Sequence, residues 1–161
     1  MTRTYLGLGA NLGDPVAQLR EAIARLRRSG LDEVRVSPYY RTRPIGVTDQ
    51  PWFVNAVLVG ETRLEPEELL DLCLNVERDM GRVRKDRWGP RVIDVDLLFY
   101  GDTRLSTERL TLPHPRWSER GFVVKPLADI APDLTIGGLR VLAALAALDT
   151  SDMKPLGLLG E

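Results

Sequence analysis

An α+β sandwich, with a mainly antiparallel sheet and helices packed on it, is the fold class that three features of the sequence predict. Segments of strand and helix character follow one another in the order β-α-β-β-α-β as far as Tyr100. Only two of those segments have helical periodicity, and two helices placed between four strands in that order suggest an antiparallel sheet on one layer and helices on the other. The chain has 161 residues, and a folded chain of that size buries roughly 70% of the surface its unfolded form exposes. One domain spanning residues 1–161 is therefore expected.

The first strand is Thr4 to Gly9, where Tyr5, Gly7 and Gly9 alternate with Leu6 and Leu8 before the turn Asn11-Leu12-Gly13. Asp14 then suits an N-cap and Pro15 the first helical position. Val16, Leu19, Ala22, Ile23 and Leu26 recur at helical spacing until Gly30. Val34 to Tyr40 and Phe53 to Glu61 are rich in β-branched and aromatic residues and predict two more strands. Their connection, Arg41 to Trp52, is long for a hairpin, and long loops in compact domains tend to be functional. Pro66 opens a second helix running to Met80, with Leu69, Cys73, Val76 and Met80 on one face and Gly81 as its stop. Val92 to Tyr100 is the fourth strand. Two helices between four strands in this order give a ferredoxin-like sandwich, with C-terminal additions. Those additions are expected to be irregular from Thr103 to Ala131, with a short helix near Arg116. A terminal helix over Leu139 to Leu148 and a loose tail from about Thr150 follow.

Composition excludes several classes. Hydrophobic residues at 43% and charged residues at 28% fit a globular protein and not a disordered or fibrous one. A net charge of −1, from 22 basic and 23 acidic residues, provides no global field for nucleic acid or anionic lipid. The single cysteine, Cys73, allows neither an intramolecular disulfide nor a multi-cysteine zinc site, and its leucine neighbours suggest core packing. No run approaches the roughly 20 apolar residues that span a bilayer, so a cytoplasmic chain without a membrane partner is expected.

Local charge is less even. Residues 82–91 hold Arg82, Arg84, Lys85, Arg87 and Arg91 against Asp86 alone, which predicts a solvent-facing loop. Trp88 within it suits a binding platform, since an indole in a polar loop has little else to do. Directly after it, Asp94 and Asp96 lie two apart in a strand and share a face, while Ile93, Val95 and Leu97 take the other. Like charges roughly 7 Å apart along a strand repel unless a cation lies between or beside them. Oxygen-only ligands point to a hard ion such as magnesium, which takes one or two carboxylates and completes its shell with water and phosphate. Taken alone the pair also fits a wet strand face. Beside an arginine loop it favours phosphoryl transfer, because carboxylates that hold metal and arginines that hold phosphate are the two halves of a polyphosphate site. The lone histidine, His114, suits a phosphate contact or a capping role equally. Gly7, Gly9 and Gly13 do not match the dinucleotide fingerprint and are assigned to a tight strand-to-helix turn, and no Walker-type GKS or GKT exists.

Four stretches bring these features together: GANLGD from Gly9, YRTRPIG from Tyr40, GRVR from Gly81 with RWGPRVIDVD from Arg87, and PHPR from Pro113. They closely resemble the 6-hydroxymethyl-7,8-dihydropterin pyrophosphokinases of folate synthesis, over residues 4 to about 135. The resemblance implies transfer of pyrophosphate from ATP, as co-substrate, to the pterin hydroxymethyl oxygen, with release of AMP and use of two magnesium ions. It implies Asp94 and Asp96 as metal ligands and Arg82 and Arg91 as clamps on the β- and γ-phosphates. Arg84, Trp88, Arg109, Thr111, His114 and Arg120 match nucleotide-site positions, and Glu77 and the backbone near Leu97 lie by the adenosine. Phe53 and Phe122 match the pair that stacks on the pterin, Asn55 the amide at its edge, and Thr42, Ile45 and Trp88 the pocket wall. Loops 43–52 and 82–91 would close over both substrates. Asp96, a metal-bound state of the alcohol and bulk water all fit the role of general base. Ala10, Arg43, Phe53 and Trp117-Ser118 depart from the family's usual residues. A monomer that binds no nucleic acid is expected; the competing reading is a ferredoxin-like nucleic-acid-binding module, disfavoured because Asp94 and Asp96 would repel phosphate without metal.

Overall fold

The computed structural model describes residues 1–46, 48–81 and 92–156. The strands are β1 (Thr2–Ala10), β2 (Asp32–Val36), β3 (Tyr40–Thr42), β4 (Phe53–Thr62), β5 (Asp94–Tyr100), β6 (Leu105–Ser106), β7 (Thr111–Leu112), β8 (Thr135–Ile136), β9 (Leu139–Arg140) and β10 (Lys154–Pro155). The helices are α1 (Pro15–Ser29), α2 (Pro66–Asp79), α3 (Gly121–Ile130) and α4 (Val141–Ala146), with one 3-10 turn at Trp117–Glu119.

The ferredoxin-like plan is present. β1 is central, antiparallel to β4 on one side and to β5 on the other, and β2 and β3 follow one another along the far edge of β4. Asp14 caps α1 by accepting from the Ala17 amide at 3.2 Å, and Pro15 occupies the first turn as its fixed φ allows. Glu65 and Glu68 form a reciprocal capping box at the start of α2. Both helices bury their apolar stripes, Leu19, Ala22, Ile23 and Leu26 with Leu69, Cys73 and Val76, against Leu6, Leu8, Ala10, Ala56, Leu58, Val95 and Leu97. Cys73 is a fully buried packing residue; burial, then the carboxylates of Glu77 and Asp96, raise its thiol pKa far above neutrality.

Four expectations change. The strand expected over Val34 to Tyr40 is two strands, because the hydroxyl of Ser37 accepts from the Val57 amide at 2.9 Å and Pro38 cannot continue the ladder. The region expected to be irregular contains a ten-residue helix, α3, whose signal is weakened by Pro126 in its interior. That proline removes one helical hydrogen bond. Burial of Val123, Val124, Leu127 and Ala128 offsets the loss. The terminal helix is shorter than expected, since Leu139 and Arg140 pair with β8 before α4 begins. Beyond Thr150, where a loose tail is expected, β10 pairs antiparallel with β3 and the Leu156 amide donates to the Tyr39 carbonyl at 2.9 Å.

The C-terminal additions thus form a third layer. Trp117, α3 and α4 cover Tyr5, Val57, Val59, Leu98 and Phe99 on the sheet face opposite α1 and α2. Phe99 meets Tyr5 and Trp117 edge to face, with centroids 5.8 and 5.3 Å apart. This layer covers only part of that face, and the uncovered part holds the candidate site.

Candidate active site

Strand register decides what lies on the uncovered face. Tyr5 pairs with Val59 on one side and Phe99 on the other, an apolar row under the third layer. Two residues on, Gly7 lies between Val57 and Asp96; two further, Gly9 lies between Asn55 and Asp94. Along one face the rows pass from three large apolar side chains to an amide, a bare backbone and a carboxylate. The absence of a side chain at Gly7 and Gly9 leaves a hollow on the central strand, and a cavity of about 350 Å³ stands over it.

Its floor is Gly7, Gly9, Asn55, Asp94 and Asp96. One wall comes from the end of β3, the loop after it and the first residue of β4, with Thr42, Arg43, Ile45 and Phe53. The opposite wall comes from the 3-10 turn and the start of α3, with Arg116, Glu119, Arg120, Phe122 and Val123. Phe53 and Phe122 therefore face one cavity from opposite walls, with the dimensions of a small heterocycle site.

Asn55 is held on two sides. Its Nδ2 donates to the Thr42 hydroxyl at 2.6 Å, a buried bond, and its Oδ1 lies against Gly9 where a Cβ would collide with it. Gly9 is thus required for close approach. Asn11 fixes the far end of the loop wall, its Nδ2 donating to the Gln50 side chain at 2.9 Å and to the Pro51 carbonyl at 2.8 Å. Arg41 and Arg43 both stack on Trp52, at 4.2 and 4.9 Å from the ring centroid.

The carboxylates fit a divalent cation. Asp94 and Asp96 are half-buried, lie on one face of β5 and open into the cavity. Among the described residues no cluster of three or more His, Cys, Asp or Glu is poised for metal. A pair of carboxylates suits magnesium, which keeps room for phosphate oxygens. Glu77 supports the pair from the outer edge of β5, its Oε2 accepting from the Val95 amide between them at 2.7 Å.

The remaining sequence-derived positions divide. Thr42, Ile45, Phe53, Asn55, Asp94, Asp96, Arg120 and Phe122 line one cavity. Glu77, Leu97, Arg109, Thr111 and His114 do not. Leu97 packs in the α1–α2 core, and Thr111 is exposed on β7. Arg109 reaches Glu67 at 3.0 Å and Asp71 at 2.5 Å on α2. His114 accepts from the Arg116 amide at 3.1 Å, a local capping role. Burial, then Arg120 and Arg116, push its pKa down to about 4, so it stays neutral at pH 7. Arg82, Arg84, Trp88 and Arg91, with the whole loop 82–91, lie outside the described residues.

Sequence reasoning missed part of the site. Gly7 and Gly9 lie in β1, as the alternation from Thr4 to Gly9 predicts, but they form the cavity floor and take no part in the strand-to-helix turn; of the three glycines only Gly13, at φ 66°, belongs to that turn. Their spacing of two, matching that of Asp94 and Asp96, was the available signal. Arg116 and Glu119 line the wall without a distinguishing pattern.

Comparison with known proteins identifies the family. The model of the 7,8-dihydro-6-hydroxymethylpterin-pyrophosphokinase (HPPK) family matches residues 5–132. The 2-amino-4-hydroxy-6-hydroxymethyldihydropteridine pyrophosphokinase of Methylorubrum extorquens is 53% identical over 155 residues, 96% of this chain and 98% of that protein. Its namesake in Pseudomonas aeruginosa is 45% identical over 148 residues, 90% of each. Among solved structures, the wild-type HPPK-DHPS of Plasmodium falciparum superposes with a TM-score of 0.71 at 15% identity, over 91% of this chain. This chain spans 44% of that one, and the likeness speaks to fold. By the family-model match and these relatives, the chain belongs to the 7,8-dihydro-6-hydroxymethylpterin-pyrophosphokinase family.

Proposed function

We propose that the chain transfers the terminal pyrophosphoryl group of ATP to the hydroxymethyl oxygen of 6-hydroxymethyl-7,8-dihydropterin, releasing AMP, in folate biosynthesis. The single observation that carries this reading is the row Asn55–Gly9–Asp94, which brings a heterocycle-edge amide and a metal carboxylate to one floor.

Each described residue then has a task. Phe53 and Phe122 stack on the two faces of the pterin, and Asn55, oriented by Thr42, hydrogen-bonds its edge. The wall of Thr42 and Ile45 excludes water, so that the β-phosphorus meets the alcohol rather than solvent. In the transfer, the hydroxymethyl oxygen bonds to the β-phosphorus, the bond from that phosphorus to the α–β bridging oxygen breaks, and AMP leaves with the bridging oxygen. The alcohol loses its proton in the same process. Asp94 and Asp96 would hold magnesium, as two ions, and the metal would neutralise charge on the polyphosphate. Arg120 contributes positive charge at the α3 wall. Arg82 and Arg91 are read as phosphate clamps, Arg84, Trp88, Arg109, Thr111 and His114 as nucleotide contacts, and Glu77 and Leu97 as neighbours of the adenosine, all from the family resemblance. Nothing favours the nucleic-acid alternative: the open end of β1 carries glycines where an RNA-binding sheet carries stacking aromatics.

The test is AMP release by the purified chain with ATP and magnesium, with and without the pterin. Release that requires the pterin, with a pyrophosphorylated pterin as co-product, is expected. AMP and free pyrophosphate formed equally without pterin would make the chain a hydrolase and overturn the reading.

A further inference from the structure

The two walls of the cavity come from segments far apart in sequence, and the C-terminal strap 149–156 touches both. At the loop wall, Arg43 Nε donates to Asp152 Oδ2 at 2.9 Å, and Arg43 itself lines the cavity. At the opposite wall the strap lies against Gly121, the first residue of α3. A Cβ there would come within 3.3 Å of Thr150 and 3.4 Å of the Met153 sulfur. The next two residues of α3, Phe122 and Val123, line the cavity, as does Arg120 just before it.

The strap has its own shape. Asp149 accepts from the Ser151 amide at 3.0 Å, the Met153 amide donates to the Thr150 carbonyl at 3.0 Å, and β10 then pairs with β3. This turn followed by a strand aims the Asp152 carboxylate at Arg43. Arg43 is an exposed, long side chain with many rotamers. Held between Asp152 and the Trp52 ring, at 4.9 Å from its centroid, it has far fewer.

We propose that Asp152 is a positioning residue for the pterin: through Arg43 it fixes the loop wall of the cavity relative to the α3 wall, and so sets the spacing of Phe53 and Phe122. This rests on the proposed function and refines it. Asp152 does not line the cavity and reaches it only through Arg43, so its effect falls on pterin binding rather than on the chemical step. Because the ion pair is exposed, the effect is modest, a rise of about 3–5-fold in pterin KM.

Steady-state kinetics with 6-hydroxymethyl-7,8-dihydropterin on wild type, Asp152→Asn, Asp152→Glu, Arg43→Ala and the Asp152→Asn/Arg43→Ala pair test it. The expected result is a raised pterin KM with kcat and ATP KM unchanged in Asp152→Asn, recovery in Asp152→Glu, and a double variant no worse than Arg43→Ala. A pterin KM in Asp152→Asn equal to wild type, or additive effects in the double variant, would overturn the coupling. Equal falls in kcat and thermal midpoint without a KM change would show a merely structural strap. Wild type lacking pterin-dependent turnover would refute the proposed function instead.

Discussion

One sheet face of this chain has two ends that differ only in what the rows carry. At one end the row Val59–Tyr5–Phe99 fills the space above the strands and is sealed by Trp117, α3 and α4. At the other the row Asn55–Gly9–Asp94 leaves it empty, and the same third layer contributes walls instead of a lid. The strands run straight through both ends, so the backbone architecture is common to them. Side-chain volume on the central strand decides whether the face becomes core or site.

The two ends should therefore fail differently. Asp94→Asn or Asp96→Asn, at the open end, should lower kcat by about 10²–10³-fold while the circular dichroism spectrum is kept; a collapsed spectrum would make the pair structural. Leu127→Ala, at the sealed end, should cost about 2–4 kcal/mol in a denaturant titration with kcat nearly unchanged at low temperature. Gly9→Ala sharpens the contrast, since the added methyl displaces the Asn55 amide without touching either aspartate. A rise of about tenfold or more in pterin KM, roughly the loss of one hydrogen bond, is expected, with magnesium dependence retained.

The smallest effect concerns His114, on the segment between the sealed end and the 3-10 turn. Its pKa falls from 6.5 in the unfolded chain to about 4 in the fold. Between those values the unfolded state binds more protons, so stability rises with pH across that window and falls on acidification. The thermal midpoint should drop between pH 6.5 and 4, and the drop should be shallower in His114→Asn, which has no group to titrate there. Equal slopes in both proteins would remove His114 from the account.

Much of this was legible in the residues. Asp14, Pro15 and Gly30 bound α1, and the alternation around Leu6, Leu8, Asp94 and Asp96 assigned both strands and their faces, because caps and period-2 patterns are local signals. The third layer was not, since α3 contains Pro126 and its stability comes from burial against β4, a contact no local pattern encodes. For the same reason Gly7 and Gly9, legible as strand residues, carried no sign that they floor a cavity. Their meaning depends on the neighbours Asn55, Val57, Asp94 and Asp96, which only strand register supplies. The partnership of Arg43 with Asp152, 109 residues apart, had no sequence signal either.

The most direct test is a crystal structure of the chain with magnesium, a non-hydrolysable ATP analogue and 6-hydroxymethyl-7,8-dihydropterin. The account predicts the pterin over Gly9 between Phe53 and Phe122, its edge on Asn55, with metal on Asp94 and Asp96. A pterin bound elsewhere, for instance in the smaller cavity between Phe99 and the Gly137–Gly138 turn, with Asp94 and Asp96 bare of metal, would contradict it.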